Sequence, residues 1–237
     1  MKKILSISIA LLLIHTLTFA QKLPADSIFA NYYKATGGKA LWDGIKSYSL
    51  KRSYASASAA PFEANVSVSI PEQSMYKSKV IMRRNFEYGV KPNEGWIKVP
   101  IGNKIDVKDL SQAEQENMRY EIYENLAPFI DYQKRGLIAT TVGTEAVNGV
   151  TTNHVEMQGK GIKYNLYFDA TTGLLVRQRE TLAGVETVST YSSYVKSPYG
   201  ISYPTKIVQV NSRDKKPVTV TSSLNVNQTI APEVFKR

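Results

Sequence analysis

Hydrophobic and polar residues alternate with a period of two along most of the chain beyond residue 47. Val66, Val68 and Ile70, for example, are separated by polar residues, a pattern typical of strands that bury one face and expose the other to water. The pattern and the turn residues between segments predict strands over 47–55, 62–70, 74–82, 84–90, 95–101, 137–147, 151–158, 162–169, 174–182, 185–194, 201–211 and 216–226. Asn148-Gly149 and the segment 169–173 are typical hairpin turns.

Two segments change to the period of a helix. From Asp26 to Ala35 the apolar residues Ile28, Tyr32 and Ala35 share one face, Asp26 is the expected N-cap, and Gly37-Gly38 provides a left-handed stop. A short helical turn is expected over 40–42. This helix has one apolar side, which must pack against another element.

The second helical segment runs from Leu110 to Leu126, with Met118, Ile122 and Leu126 spaced four residues apart. Ser111 and Glu114 form an expected capping box, and Pro128 ends the helix. A helix inserted between two runs of strands is a natural cover for the open face of a sheet. Its glutamates are expected to lie on a solvated face: Glu114, Glu116, Glu121 and Glu124.

The sum of these elements predicts a mainly β (α+β) fold. We expect a strongly curved antiparallel sheet, or half-barrel, of about 11 to 12 strands covered by helices, because that many flat strands would leave long edges and an uncovered apolar face. If the helices cover the concavity without filling it, an apolar cavity results. If side chains fill it, the same fold is a packed structural domain, and the pattern alone leaves both open.

The first twenty residues have the layout of a cleavable secretory signal. Lys2 and Lys3 precede an apolar run that ends at Phe19, and small residues stand where a cut before Gln21 requires them. The run is too short for a typical membrane span. We therefore expect an exported, periplasmic protein with residues 1–20 as signal peptide and residues 21–237 as a single domain, neither anchored to nor spanning a membrane.

Charge and composition narrow the function classes. Removal of Lys2 and Lys3 lowers the formal net charge from +10 to +8, which outside the cytoplasm favours anionic lipids or polymers rather than nucleic acid, or serves only solubility. The chain has no cysteine, which excludes disulfides, thiolate metal sites and a lipid-modified cysteine. Only His154 remains after the signal, in an alternating strand pattern, so we expect neither a catalytic site nor a metal or other cofactor.

Several segments together resemble a known family: residues 28–38 with Leu41 and 45–47, residues 127–132 with Gly136, and the segments 143–149, 167–175 and 199–207. They are similar to exported proteins of the Bacteroidetes group described as outer-membrane lipoprotein-sorting proteins, with the LolA/LolB-like fold. The resemblance covers nearly the whole mature chain. It implies a curved antiparallel sheet closed by helices over a hydrophobic cavity that accepts the acyl chains of lipoproteins and ferries them across the periplasm.

The resemblance and the pattern together favour a non-catalytic, monomeric carrier or chaperone that binds lipoprotein acyl chains or other envelope lipids, with a delivery partner in the outer or inner membrane. The lack of a cysteine indicates the soluble carrier type. Cavity-lining residues are predicted from the apolar faces alone: Val66, Val68, Ile70, Tyr164, Leu166 and Phe168 from the sheet, and Met118, Ile122 and Leu126 from the covering helix. The alternatives are an envelope interaction scaffold with a packed interior and a basic surface, and an enzyme.

Overall fold

The computed structural model describes residues 22–237. The predicted signal segment 1–20 and the cleavage site before Gln21 lie outside this range. Within it, three α-helices accompany one antiparallel sheet of 13 strands. The helices are α1 (Ala25–Ala35), α2 (Lys39–Asp43) and α3 (Gln112–Glu124), and a 3₁₀ turn covers Pro232–Phe235. The strands are β1 (Ser47–Ser56), β2 (Ala59–Ser69), β3 (Ser74–Ile81), β4 (Arg84–Val90), β5 (Gly95–Ile101), β6 (Lys104–Asp109), β7 (Ile138–Val147), β8 (Val150–Gly159), β9 (Ile162–Asp169), β10 (Leu175–Leu182), β11 (Val185–Lys196), β12 (Ser202–Asn211) and β13 (Val218–Val226).

The sheet is curved and does not close, with the order β6-β5-β4-β3-β2-β1-β13-β12-β11-β10-β9-β8-β7. Two meanders, β1 to β6 and β7 to β13, join where β1 pairs with β13. The strands β6 and β7 are therefore the two free edges. The segment that connects β6 to β7 contains α3 and has to cross a face of the sheet. It covers the concave face.

Strand register brings the apolar positions of the first meander into one layer. Tyr48 lies opposite Val68, and Leu50 lies opposite Val66. All four are at most 3 % exposed. Since directly opposed residues of antiparallel strands point to the same face, these side chains form a continuous apolar floor under the helices.

The helix α1 packs on the second meander through aromatic rings. Phe29 stacks on Phe129 with ring centroids 4.6 Å apart and meets Phe168 of β9 edge to face at 5.8 Å. Trp42 of α2 donates from Nε1 to Thr36 Oγ1 at 2.9 Å, which satisfies a buried indole. This aromatic cluster fixes the N-terminal helices to one end of the concave face.

The helix α3 begins at the capping box that the sequence predicts. The Ser111 side chain accepts from the Glu114 backbone N–H, and the Glu114 carboxylate accepts from the Ser111 backbone. Tyr48 of β1 donates its hydroxyl to the Ile122 carbonyl at 2.7 Å, while Met118 and Ile122 are buried. Both hydrophobic contact and a buried hydrogen bond thus hold α3 over the centre of the sheet.

All twelve predicted strands are present, and the left-handed stop at Gly37-Gly38 is confirmed by φ angles of 120° and 97°. Two details differ. The prediction missed β6, which makes 13 strands rather than 11 or 12. Asp26 is not the N-cap of α1, because the helix already begins at Ala25 after Pro24, without a side-chain cap. The Pro24 carbonyl accepts from the backbone N–H groups of Ser27 at 2.9 Å and Ile28 at 3.2 Å, which makes Pro24 the N-cap residue.

Candidate functional site

A cavity of about 370 Å³ lies between α3 and the concave face of the sheet. Its lining comes from both meanders and from the helix, so it spans the junction where β1 pairs with β13. The volume falls within the range of roughly 300–1,000 Å³ that is usual for small-ligand pockets. The covering helix therefore leaves part of the concavity unfilled.

One part of the lining is apolar. Its aliphatic residues come from six elements or their ends: Leu50, Val66, Leu126, Leu182, Ile207 and Leu224. Trp42 and the tyrosines Tyr54, Tyr191 and Tyr203 add aromatic surface. Tyrosine presents an apolar ring and a polar hydroxyl, so it suits a wall where a hydrocarbon chain meets a polar group.

The other part of the lining is charged, which the sequence does not predict. Three cations and three carboxyl groups face the cavity: Arg52, Lys77, Lys79, Glu121, Glu124 and Glu180. Glu121 and Glu124 were expected on a solvated helix face, and this expectation is wrong, because α3 turns that side toward the sheet. The cavity is therefore amphiphilic rather than wholly apolar.

Two of the charged residues form an ion pair. Lys77 Nζ lies 2.6 Å from Glu121 Oε2, with side chains that are 12 % and 34 % exposed. Burial opposes ionisation of Glu121, but the Lys77 ammonium group outweighs it and holds the pKa of this carboxyl below its ordinary value. Lys77 and Glu121 thus link β3 to α3 at one side of the cavity.

Arg52 of β1 makes a second link to the helix end. Its Nη1 donates to Asn125 Oδ1 at 2.6 Å, and its Nη2 donates to the Asn125 carbonyl at 3.4 Å. Asn125 is the C-cap of α3. A cation bonded to the last carbonyls of a helix is favourable because the helix dipole places partial negative charge there.

A pair of carboxyl groups occupies the opposite wall. The Tyr164 hydroxyl donates to Glu124, and Glu180 lies directly opposite Tyr164 in the β9–β10 ladder. Burial, followed by repulsion from Glu180, raises the pKa of Glu124 to about 8. Burial, followed by the charge of Glu121, raises the pKa of Glu180 to about 7. Both groups are therefore at least partly protonated near neutral pH, and a protonated carboxyl can donate a hydrogen bond.

Lys79 lies two residues beyond Lys77 in β3, on the same face of the sheet, and is the third cation of the wall. Burial, followed by repulsion from Lys77, lowers its pKa. Its Nζ lies 5.6 Å from the ring centroid of Tyr88. Because the raised pKa values of Glu124 and Glu180 reduce their negative charge near neutral pH, the carboxylates balance the three cations incompletely, and the wall suits a polar or anionic group better than a cation.

The structure places the nine sequence-predicted cavity residues in three settings. Val66 and Leu126 line the cavity, and Ile70 is half-buried at a neighbouring depression beside Ile130 and Tyr123. The other six are packed in the hydrophobic core: Val68, Met118, Ile122, Tyr164, Leu166 and Phe168. Of these, Tyr164 still reaches the cavity wall through its bond to Glu124. Their role in binding stays a prediction.

His154 lies on the sheet away from the cavity. Its ring stacks on Tyr167 at 4.5 Å between centroids, and its Nε2 lies 2.9 Å from Asn165 Oδ1. These are the contacts of a strand histidine. In residues 22–237, no group of three or more histidine, aspartate or glutamate side chains is arranged to hold a metal ion.

Comparison with solved structures identifies the fold. A LolA superfamily protein from Nitrosomonas europaea superposes with a TM-score of 0.61 at 11 % identity, over 91 % of this chain and 98 % of that one. A candidate outer membrane lipoprotein-sorting protein domain from Vibrio parahaemolyticus gives 0.59 at 14 % identity, over 84 % and 92 %. A DUF1329 family protein from Desulfovibrio piger gives 0.61 at 12 % identity, over 90 % and 97 %.

These comparisons and the open 13-stranded sheet show that the chain has a LolA/LolB-like fold. The fold that the sequence resemblance implies is thus confirmed. At the level of sequence, no family model and no curated protein matches the chain. Within residues 22–237, none of the helices combines the length and the apolar character that crossing a membrane requires.

Proposed function

We propose that this protein is a periplasmic, non-catalytic carrier or chaperone that holds the acyl chains of lipoproteins or other envelope lipids in the cavity under α3. The observation that carries the proposal is the unfilled space of about 370 Å³ on the concave face, with its aliphatic lining from both meanders. The fold supports it, since structurally similar chains include a candidate outer membrane lipoprotein-sorting protein domain.

Hydrocarbon burial supplies the free energy of binding. Each methylene group removed from water contributes about 0.8 kcal/mol, so an acyl chain needs no reactive group for useful affinity. Leu50, Leu182 and Leu224 provide the apolar contact. The charged wall meets the polar end of the cargo, which makes an amphiphile a better match than a pure hydrocarbon.

A titration with a fluorescent fatty acid and with a diacylated lipopeptide tests the proposal. Leu182→Trp places a large ring in the cavity lining and is expected to weaken binding at least tenfold. Val150→Trp is the matched control, because Val150 is 36 % exposed and lies outside the cavity lining. It is expected to bind as the wild type does.

Equal binding by the two tryptophan variants would place the ligand outside the cavity. Failure of the wild type to bind any of these amphiphiles, combined with salt-sensitive binding to an envelope protein, would instead favour an interaction scaffold. Thermal unfolding of each variant shows whether a loss of binding reflects a loss of folding.

A further inference from the structure

Two neighbouring hairpin turns of the first meander project from the same end of the sheet. The β3–β4 turn is formed by Met82 and Arg83, and the β5–β6 turn by Gly102 and Asn103. Because β3 and β5 run in the same direction within the sheet, both turns project at the same end. The Arg84 guanidinium donates to the Pro100 carbonyl and ties the two hairpins together. We call the residues 80–84 and 101–105 the hairpin tip.

The hairpin tip exposes large apolar side chains. Met82 is 77 % exposed, Ile105 66 %, Ile101 54 % and Val80 42 %. The strand register places Ile101 on the concave side, and Val80 and Ile105 on the convex side. An apolar end exposed on both sides is poorly suited to a flat protein partner, which would cover one side, and well suited to insertion into a lipid interface.

Cations accompany these apolar groups. Arg83, Arg84 and Lys104 are all exposed at the hairpin tip. Asp106 is the nearest carboxylate in the adjoining strand, and it is paired with Lys108 at 3.0 Å. The hairpin tip is thus basic as well as apolar, which is the combination that binds anionic membrane surfaces.

The backbone of the β3–β4 turn is a second, independent observation. Met82 and Arg83 have φ angles of 49° and 63°, a left-handed conformation that two-residue hairpins usually assign to Asn-Gly. The chain uses Asn148-Gly149 for the same conformation between β7 and β8. The β3–β4 turn therefore has a methionine and an arginine at two positions whose left-handed backbone conformation is unfavourable for both residue types.

From these observations we propose that the hairpin tip docks the protein on an anionic membrane surface, with Met82, Ile101 and Ile105 entering the headgroup region and Arg83 and Lys104 meeting lipid phosphates. The proposal does not depend on the function assigned to the cavity. It concerns a different end of the fold and different residues.

Vesicle flotation tests the proposal with the mature chain, using phosphatidylcholine vesicles with and without phosphatidylglycerol. The wild type is expected to bind the anionic vesicles only, and less at high salt. The variant with Met82→Asn and Arg83→Gly creates an Asn-Gly turn, so it should raise the melting temperature while lowering the partition coefficient at least about fivefold for the lost cation alone. A gain in stability combined with a loss of binding separates docking from folding.

Ile138→Ser is the matched control, since Ile138 is 71 % exposed but lies in β7 at the opposite edge of the sheet. It should bind as the wild type does, whereas Ile105→Ser should weaken binding. The proposal is overturned if the wild type ignores anionic vesicles, if the Asn-Gly variant binds them equally well, or if Ile138→Ser loses as much binding as Ile105→Ser.

Discussion

Lys77 of β3 and Glu121 of α3 form an ion pair with 2.6 Å between Nζ and Oε2, at the place where the covering helix meets the wall of the cavity. The pair is one of several polar contacts that fix α3 over the sheet, together with the bonds from Tyr48 to Ile122 and from Arg52 to Asn125. The cover of the cavity is thus held by groups that also line it. Substitutions there are expected to change stability and ligand binding together.

Lys77→Met should destabilise the protein by about 1–3 kcal/mol, because Glu121 would be left half-buried without its cation. Equilibrium urea unfolding measures this change. Lys39→Met is the control, since Lys39 and Asp43 form a 2.5 Å pair whose side chains are more than 60 % exposed. Its effect should be small. Equal losses in the two variants would contradict the anchoring role of Lys77.

The ion pair of Lys77 and Glu121 also predicts that the protein loses stability at acidic pH. The pKa of Glu121 is lower in the folded protein than in the unfolded chain, so its contribution is present above the unfolded pKa and is lost as the pH falls through the folded pKa. Glu121→Gln should therefore flatten the fall in melting temperature on acidification. If the melting temperature of Glu121→Gln fell on acidification as steeply as that of the wild type, Glu121 would not be the group responsible.

The carboxyl pair of Glu124 and Glu180 predicts the opposite trend at higher pH. Burial raises the pKa of Glu124 to about 8 and that of Glu180 to about 7, so the folded protein binds more protons than the unfolded chain above the ordinary glutamate pKa. Stability should fall as the pH rises from about 5 to about 8, by about 1.4 kcal/mol for each unit of difference in pKa at full effect.

Glu124→Gln tests this trend, because the amide stays neutral and its oxygen still accepts from the Tyr164 hydroxyl. Melting temperatures measured between pH 5 and pH 9 should show a smaller decline than in the wild type. Glu145→Gln is a suitable control from an exposed part of β7. A wild-type decline that persists unchanged in Glu124→Gln would show that other groups cause it.

Gly89 is required by the close approach of Trp96, its neighbour in the β4–β5 ladder. A Cβ atom at position 89 would lie 2.4 Å from Cε2 of the indole, which is only 1 % exposed and has no room to move. Gly89→Ala should cost at least about 2 kcal/mol through overpacking. Gly102→Ala is the comparison, since nothing lies within 4 Å of its Cβ and only the φ of 57° opposes it. Thermal unfolding should rank the glycine 89 variant as clearly the less stable.

Much of the fold follows from local patterns. The period-two alternation predicts twelve strands, and the Ser111–Glu114 capping box predicts where α3 begins. The missed strand β6 has a weak signal, in which Ile105 and Val107 alternate with charged residues just after the Gly102-Asn103 turn. It is an edge strand whose residues are nearly all exposed. Because neither face is buried, the strand needs few apolar residues and leaves little hydrophobic pattern to detect.

The cavity could be predicted only in part, because the apolar faces do not tell a filled core from an open space. Val66, Val68 and Phe168 follow the same alternation and are all buried in the core, yet of the three only Val66 also lines the cavity. The charged wall is harder still. Glu124 and Glu180 are far apart in the chain and are brought to the same cavity only because the connection from β6 to β7, which contains α3, crosses the sheet.

The most direct test of the carrier proposal is native mass spectrometry, with lipid extraction, of the protein purified from the cells that produce it naturally. If the cavity holds acyl chains, we expect a co-purifying acyl species that is lost or diminished in Leu182→Trp and retained in Val150→Trp. A mass equal to the bare polypeptide, unchanged after incubation with lipids and lipopeptides, would contradict the proposal that the cavity under α3 holds acyl chains.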